Sequence, residues 1–392
     1  MHFSTILSAA LVPALIAAQV KSTAYGVAKV PALIAAQVKG TAYGFAKGVT
    51  GGGNITAAAP KDIKDPRVIL IDKTFDFTGT EGSATAAGCT KTTCPMTQGG
   101  QDYIGKLSCN GNNMVATQIT YDKAGATNLK VGSNKSIVGV GSKGVIQGKG
   151  LVIPKTSKNV IIQNIHITNI NAKDVWGGDA LQLEGADGVW VDHCKFSQVG
   201  RMFVVSHYNP NRLTISNCEF DGTTKTSATC NDNHYWTVMF IANGDQVTLD
   251  RNYWHDLSGR APKLGEDGLT TTIHASNNFF CSMKGHAFDA YSGTSALIEG
   301  NVFEDVNQPM TEQAAKIDTL FNAPDASSLA SCSSSLGRPC VANSLSGSGK
   351  FASMKNTAGL NNLAKFKGSL VKPIQASNVK TTVTGGAGVG KI

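Results

Sequence analysis

The sequence predicts an all-β chain wound as a single-domain parallel β-helix, and three observations carry that expectation. From Lys130 onward, short Val/Ile/Leu-rich runs alternate with Asn and Gly, residue types that close turns. Six runs, "IQNIHI", "VDHCKF", "ISNCEF", "DRNYWH", "ASNNFF" and "IEGNVF", align on a polar position at Asn164, His193, Asn217, Asn252, Asn277 and, displaced by one, Asn301. The successive gaps are 29, 24, 35, 25 and 24 residues, the near-constant rung with occasional longer loops that a β-solenoid leaves in sequence. A β-sandwich would place turns every ~8–12 residues without a shared register. A Rossmann or α/β-barrel fold would need regular amphipathic helices between the strands, and the sequence carries none.

Taken from the amino end, the apolar run Ile6–Ala18 followed by small residues suits the central region of a secretory signal. Residues 1–20 are assigned to it, with the cut between Ala17 and Ala24. Val12–Lys29 is then repeated as Val30–Lys47 with two differences in eighteen positions. A single copy of so short a unit does not build a solenoid, so 21–43 reads as a duplicated, poorly ordered segment, with Val30–Val38 loosely attached. Cys89, Cys94 and Cys109 cluster in a Gly/Thr-rich region, and Cys332 with Cys340 brackets a short loop. Nine cysteines in an exported chain predict disulfides plus at least one free thiol. No pair has CxxC spacing, which argues against a thiolate zinc site. Asn54 ("NIT") and Asn134 ("NKS") are glycosylation acceptors by motif.

The solenoid is expected over 44–370. Stacked rungs lie ~4.8 Å apart, and Asn tolerates the left-handed backbone of a tight turn while its amides bond along the stack. Cys194 and Cys218 follow the aligned position in adjacent rungs and should stack as buried thiols, because parallel side-chain vectors fit a disulfide poorly. Trp190 in "GVWVDH" alternates with apolar residues and reads as core. Residues 371–392 read as a Gly-rich tail.

Composition narrows the function classes. Charged residues make up 16% of 392 residues and the net charge is +8. The Lys and Arg residues are scattered without a dense basic run, so nucleic acid is not the expected partner. After the leader no run approaches the ~18 apolar residues of a membrane span, and the expected location is extracellular. An excess of cations suits an acidic polymer, bound by a monomer.

Three stretches offer chemistry. "DVWGGDALQLEG" carries Trp176 and Asp179, "HCKFSQVGRMFVVS" places Arg201 inside an apolar strand pattern, and "NDNHYWTVMF" with "DLSGRAPKL" adds His234, Tyr235, Trp236, Arg260 and Lys263. At the observed period Asp179 and Arg201, 22 residues apart, share a face of adjacent rungs. Arg260 falls two rungs further on if Thr223–Asn233 is a long loop. One acid and several cations beside aromatic rings make a cleft for an elongated anionic or carbonyl-bearing polymer. A plain structural ion pair between Asp179 and Arg201 is the competing reading, and His234 is a turn histidine rather than a base. Glycoside hydrolysis normally uses two paired carboxylates; here one carboxylate sits among cations, which favours stabilising a developing enolate.

Several segments then resemble one family. "GFAKGVTGGG" (Gly44–Gly53), "SNKSIVGVGSKGVIQGKGL", "NVIIQNIHITNI", "VWGGDA", "VWVDH", "SATCN-NHYW", "LSGRAPK" and "GHAF" are collinear with the motifs of fungal-type pectin lyases. These belong to the first polysaccharide-lyase family in the pectate lyase superfamily, whose members are right-handed parallel β-helices. The resemblance covers about Gly44 to Gly368. It implies that Arg260 is the proton abstractor, that Lys263 meets the substrate's carboxyl ester, and that Asp179 is the cleft aspartate. It matches Arg201 to an arginine that marks pectin lyases where related pectate lyases place calcium-binding carboxylates. Calcium needs several oxygen ligands, and Gly200–Val205 contains no acid. The implied activity is therefore β-elimination on methyl-esterified homogalacturonan without metal or other cofactor, with Trp176, Trp236 and Tyr235 stacking on sugars. A guanidinium keeps its proton in almost every setting, so Arg260 as hydrogen-bond donor or acid stays open beside its role as base.

The resemblance also implies the disulfides Cys89–Cys109, Cys94–Cys230 and Cys332–Cys340, leaving Cys194, Cys218 and Cys281 free. Two departures stand out: Cys89–Cys109 contains no tryptophan, only Tyr103, and only "KDIKDP" precedes "RVILIDKTFDF" where the family has a helix-rich segment. A calcium-dependent pectate lyase and a non-catalytic pectin-binding β-helix are the alternatives.

Overall fold

The computed structural model describes residues 37–53 and 67–392. The leader, most of the duplicated stretch, Asn54 and "KDIKDP" lie outside the described residues. No helix among the described residues is long and apolar enough to cross a membrane.

Each rung of the chain contributes one strand to each of three parallel sheets. The first sheet stacks nine strands in order from Arg67–Ile71 through Lys158–Gln163, Asp187–Asp192, Arg212–Ser216, Asp245–Asp250 and Thr271–Ser276 to Leu320–Phe321. The second runs through His166–Ile170, Lys195–Val199, Glu219–Asp221 and Tyr253–His255; the third through Leu151–Ile153, Leu181–Leu183, Val204–Ser206, Val238–Phe240 and Lys263–Leu264. Phe279–Ala290 is long enough to bend from the second sheet into the third. This is the predicted parallel β-helix.

Alternation along each strand decides what is buried. In the first sheet Val189, Val191, Leu213, Ile215, Val247 and Leu249 face the interior. In the second sheet Phe196, Phe220, Trp254, Phe280 and Phe303 stack along the axis, with centroids 5.4, 4.1, 5.4 and 4.8 Å apart. Offset stacks of this kind add to the burial of their large area.

The turn from the first to the second sheet corrects the sequence register by one residue in one rung, where Arg251 rather than Asn252 takes the turn, and it puts Gly300 at the turn before the displaced Asn301. The left-handed positions are Asn164, His193, Asn217, Arg251, Asn277 and Gly300. The residue after each points inward: Ile165, Cys194, Cys218, Asn252, Asn278 and Asn301 are all buried. The axial amide stack therefore consists of Asn252, Asn278, Asn301 and Asn343, each Nδ2 donating to the next Oδ1 at 2.9–3.0 Å. Asn217 and Asn277 are turn residues and stand outside this stack. Cys194 and Cys218 continue it as free thiols, with the Cys218 amide donating to Asn252 Oδ1 at 2.9 Å.

Three further expectations change. Trp190 is buried, but on the outer face of the first sheet, because Val189 and Val191 take the inward positions; it lies under Val38, Ala42 and Val49. Residues 37–43 of the segment expected to be poorly ordered are thus docked. The Lys39 amide donates to Gln163 Oε1 at 2.8 Å and Tyr43 Oη to Asp250 Oδ2 at 2.9 Å. The C-terminal segment is a folded element rather than a tail. After helices α1 (Ala326–Leu336) and α2 (Thr357–Ala364), α3 spans Ala376–Gly386 and buries Val379 and Val383, one turn apart, against Phe279 and Val302.

Outside the solenoid, Ser83–Lys91 pairs antiparallel with Met114–Asp122 and with Asp102–Ile104, which runs parallel to Asp174–Val175. The three implied disulfides are formed, Cys89–Cys109, Cys94–Cys230 and Cys332–Cys340. The first closes a loop within this lateral segment, and the second ties it to the loop that leads into Tyr235 and Trp236. Sequon residue Asn134 is half-buried and accepts from Asn159 Nδ2 at 2.8 Å, and Ser136 is buried.

Candidate active site

The residues entering the third sheet come from successive rungs at one level, so they line one groove. Asp179 precedes Leu181–Leu183, Arg201 precedes Val204–Ser206, Tyr235 and Trp236 precede Val238–Phe240, and Arg260 precedes Lys263–Leu264. The outward positions of the same strands, Gln182, Val205, Met239, Lys263 and Asp289, form the floor. The lateral sheet and its Asp174–Val175 partner form one wall.

Asp179 and Arg201 meet as a bidentate pair. Nε donates to Oδ1 at 2.8 Å and Nη2 to Oδ2 at 2.5 Å. Oδ1 also accepts the Met202 amide at 2.9 Å, and the residues are 5% and 6% exposed. Buried carboxylate–guanidinium forks fix geometry as well as charge. The Arg201 guanidinium lies 4.2 Å from the Trp176 ring centroid, a cation–π distance. Trp176 itself has φ 72°, is 37% exposed, and donates from Nε1 to Ser108 Oγ at 3.0 Å.

Arg260 is built differently. Its backbone is left-handed, φ 46°, a conformation that is uncommon for a non-glycine residue. Its guanidinium stands 4.7 Å from the Trp236 ring and 5.8 Å from Tyr235, with Nη1 3.5 Å from Met239 Sδ. No carboxylate pairs with it among the described residues. Trp236 is held by Nε1–H to Gln101 Oε1 at 3.1 Å, and Gln101 is anchored through Nε2 to the carbonyls of Ala172 and Gly200. One face of each predicted sugar-stacking tryptophan is therefore occupied by an arginine.

Lys263 Nζ is 4.5 Å from the Tyr291 ring and 3.8 Å from Glu266 Oε2. Burial, with Arg260 adding like-charge repulsion against the opposing pull of Glu266, lowers the pKa of Lys263 below the ordinary lysine value. His234 is buried and stacked on Phe203 at 4.4 Å, with Nε2 shared between the carbonyls of Arg201 and Trp236. Burial pushes its pKa down to about 4, so it is a neutral scaffold residue at neutral pH. Asp174, two residues before Trp176, is pushed up to about 6 by burial.

The groove thus gathers Asp179, Arg201, Tyr235, Trp236, Arg260 and Lys263, with Trp176 at its rim. Residue-type reasoning missed Gln101, His286 and Tyr291. His286 lies in the quoted "GHAF" and its Nε2 accepts the Arg260 backbone N–H at 3.0 Å; the signal was the glycine beside it. A Cβ on Gly285 would sit 1.8 Å from the Ser258 carbonyl oxygen, and one on Gly259 would sit 2.5 Å from the Tyr235 ring.

The donors in this groove do not suit calcium, because Arg201 already holds both Asp179 oxygens. Among the described residues one group of three ligating side chains, Glu219, Asp221 and His255, lies on the second sheet. There Lys195 Nζ already bridges Glu219 and Asp221 at 2.8 and 2.9 Å, supplying the positive charge an ion would bring.

A family model described as pectate lyase matches residues 8–392. "Probable pectin lyase F-1" of Aspergillus terreus is 46% identical over 406 aligned positions, covering 100% of this chain and 99% of that protein. "Probable pectin lyase E" of Aspergillus fumigatus is 45% identical over 362, covering 88% and 93%. Among solved structures, a mutant pectate lyase of Bacillus subtilis superposes with a TM-score of 0.52 at 16% identity over 92% of this chain and 99% of that one, a likeness of fold.

Proposed function

Because this chain belongs to the pectate lyase family, we propose that its groove cleaves methyl-esterified homogalacturonan by β-elimination, as a secreted monomer that needs no metal. The observation that carries this reading is the charge layout. Three cations, Arg201, Arg260 and Lys263, face one groove whose catalytic-level carboxylate is bound at both oxygens. The other acids of the groove, Asp289 and Glu266, neighbour Lys263.

The chemistry starts at C5, α to the ester carbonyl. A base takes the C5 proton, and the bonding pair moves into an enolate whose oxygen carries the charge. That pair then forms the C4–C5 double bond as the C4–O bond breaks, and the departing oxygen takes up a proton. An ester acidifies C5–H more than a carboxylate does, so charge neutralisation by a divalent ion is not required. Arg260 stands free of any carboxylate at the groove's centre and is the residue proposed to act at C5. Lys263 and the outer edge of Arg201 stabilise the enolate oxygen, the electrostatic contribution that is usually largest. Fixed cations in a desolvated groove need little reorganisation as charge develops, and Asp179 supplies that fixity for Arg201.

Tyr235, Trp176 and Trp236 supply ring surface for the sugars. The test compares high-ester pectin with polygalacturonate, each with and without chelator, following the ultraviolet absorbance of the unsaturated product. Turnover of pectin that survives chelation supports the reading. Activity confined to polygalacturonate and abolished by chelator would replace it with a calcium-dependent pectate lyase, and binding without product with a non-catalytic one.

A further inference from the structure

Arg260 faces the groove from a strained backbone, and one side chain from the next rung holds that backbone in place. His286 Nε2 accepts the Arg260 N–H at 3.0 Å. Because that donor is an amide, Nε2 must be unprotonated and the ring's hydrogen must sit on Nδ1. The contact is built from both sides. Tyr235 meets the His286 ring edge-on, centroids 5.8 Å apart, and the Gly259 position admits no Cβ, which would meet both the Tyr235 ring at 2.5 Å and His286 Cε1 at 3.0 Å. On the strand side, His286 is in register with Gln308. Gly285 lets the chain pass against Ser258. The sequence "SGR" and the sequence "GHAF" are thus two halves of one contact.

We propose that His286 is a positioning residue: as a neutral acceptor it holds Arg260 in the left-handed conformation that aims the guanidinium across Trp236 into the groove. This rests on the proposed role of Arg260. Left-handed turn residues such as Asn217 and Arg251 donate their N–H to a backbone carbonyl of the next rung, whereas the Arg260 N–H donates to His286 Nε2 instead, and a donor left without an acceptor is costly. Protonated imidazole would present N–H to N–H at this contact and push the turn away. The charged and titratable groups around the ring are Asp289 on its own strand and Arg260 and Tyr235 from the preceding rungs; Gln308 across the sheet is uncharged. Burial first, then Arg260, lower the pKa of His286, against the opposing effect of Asp289. Turnover is therefore expected to fall on the acid side, below the ordinary imidazole range.

The test uses the full chain with high-ester pectin and two substitutions. His286→Phe keeps the ring's bulk and removes the acceptor. His286→Gln places Oε1 where Nε2 stands and does not titrate. The expected result is a fall in kcat of about 100-fold for His286→Phe at little change in KM, with a cooperative unfolding transition retained. His286→Gln restores turnover and loses the acid limb seen in the wild type. Long-range nitrogen–proton spectra of the unsubstituted protein should show Nδ1 protonated and Nε2 bare at neutral pH. His286→Phe with wild-type kcat, His286→Gln with the acid limb intact, or a protonated Nε2 would each overturn the inference. Wild-type protein that forms no unsaturated product would instead remove the functional reading on which the inference rests.

Discussion

Removing one member of the Asp179–Arg201 pair separates a structural ion pair from a substrate-facing cation. Asp179→Leu leaves a guanidinium that is 6% exposed without its two charge-assisted bonds, and it orphans the Met202 amide. Breaking a buried pair by deleting one partner costs about 3–5 kcal/mol, and the lost amide partner adds about 1 kcal/mol. Arg201→Met strands the carboxylate in the same way and should cost about 3–5 kcal/mol. The double substitution removes both charges and fills the space with apolar atoms, for which the expected cost is about 2 kcal/mol or less. The single costs therefore exceed the double, with a coupling of several kcal/mol in the cycle. Urea unfolding followed by tryptophan fluorescence measures all four proteins, and product absorbance measures turnover. The double variant should fold and yet stay inactive, because Arg201 is lost from the groove. Single costs that simply add would refute the buried-pair reasoning; a double variant with wild-type turnover would refute the role of Arg201.

Other consequences are independent of that pair. Asn278 accepts from the Asn252 amide and side chain and donates to Leu249 O, Ser276 O and Asn301 Oδ1, so Asn278→Ala leaves several buried groups unpaired. The expected loss is about 3–6 kcal/mol at about 1–3 kcal/mol per orphaned group, read by urea unfolding. Asp174 has a folded pKa of about 6, raised by burial, so the native state holds its proton more tightly than the unfolded chain and stability falls as pH rises between about 4 and 6. Asp174→Asn should flatten that fall and raise the unfolding midpoint at neutral pH. The opposite sign holds for His234: its folded pKa is about 4, the unfolded state takes up the proton first, and stability falls as pH drops from about 6.5 to 4. Comparing unfolding midpoints of the parent and Asp174→Asn across this range resolves the two slopes. Gly259→Ala should displace Tyr235 and His286 together and lower turnover by about 100-fold while the solenoid persists in circular dichroism.

The rung period was legible because stacking repeats one residue type at one level. A polar residue or glycine marked each first-to-second-sheet turn of the six aligned runs, and the spacing placed Asp179, Arg201 and Arg260 on one face. The exact register was less legible, because the left-handed turn residue and the inward amide after it favour the same residue type. At Asn277–Asn278 both are Asn, while at Arg251–Asn252 the turn is an arginine, and counting Asn alone slides between the two positions. Trp190 shows a related limit. Alternation gives two faces, and only the docking of residues 37–49 makes the outer one dry. The C-terminal helix was hidden by its glycines, although Val379 and Val383 carried the i, i+4 spacing of a packed face.

Spacing also could not say which partner each charge takes. Asp179 and Arg201 belong to adjacent rungs and their side chains are long enough to meet, so the acid is consumed by the nearest cation. Arg260 sits two rungs beyond Arg201 and three beyond Asp179, out of reach of that carboxylate, and Trp236 intervenes with its ring against the guanidinium. The groove therefore holds two arginines in opposite electrostatic states, one neutralised and rigid, the other backed by aromatic faces and a histidine acceptor. If Arg260 were to acquire a carboxylate of its own, for example through Met239→Glu beside its Nη1, it would become a second rigid pair. Turnover should then fall although no catalytic side chain is removed, whereas the uncharged Met239→Gln at the same place should retain far more of it. Equal loss in the two variants would show that the space around Arg260, rather than its unpaired charge, is what the groove requires.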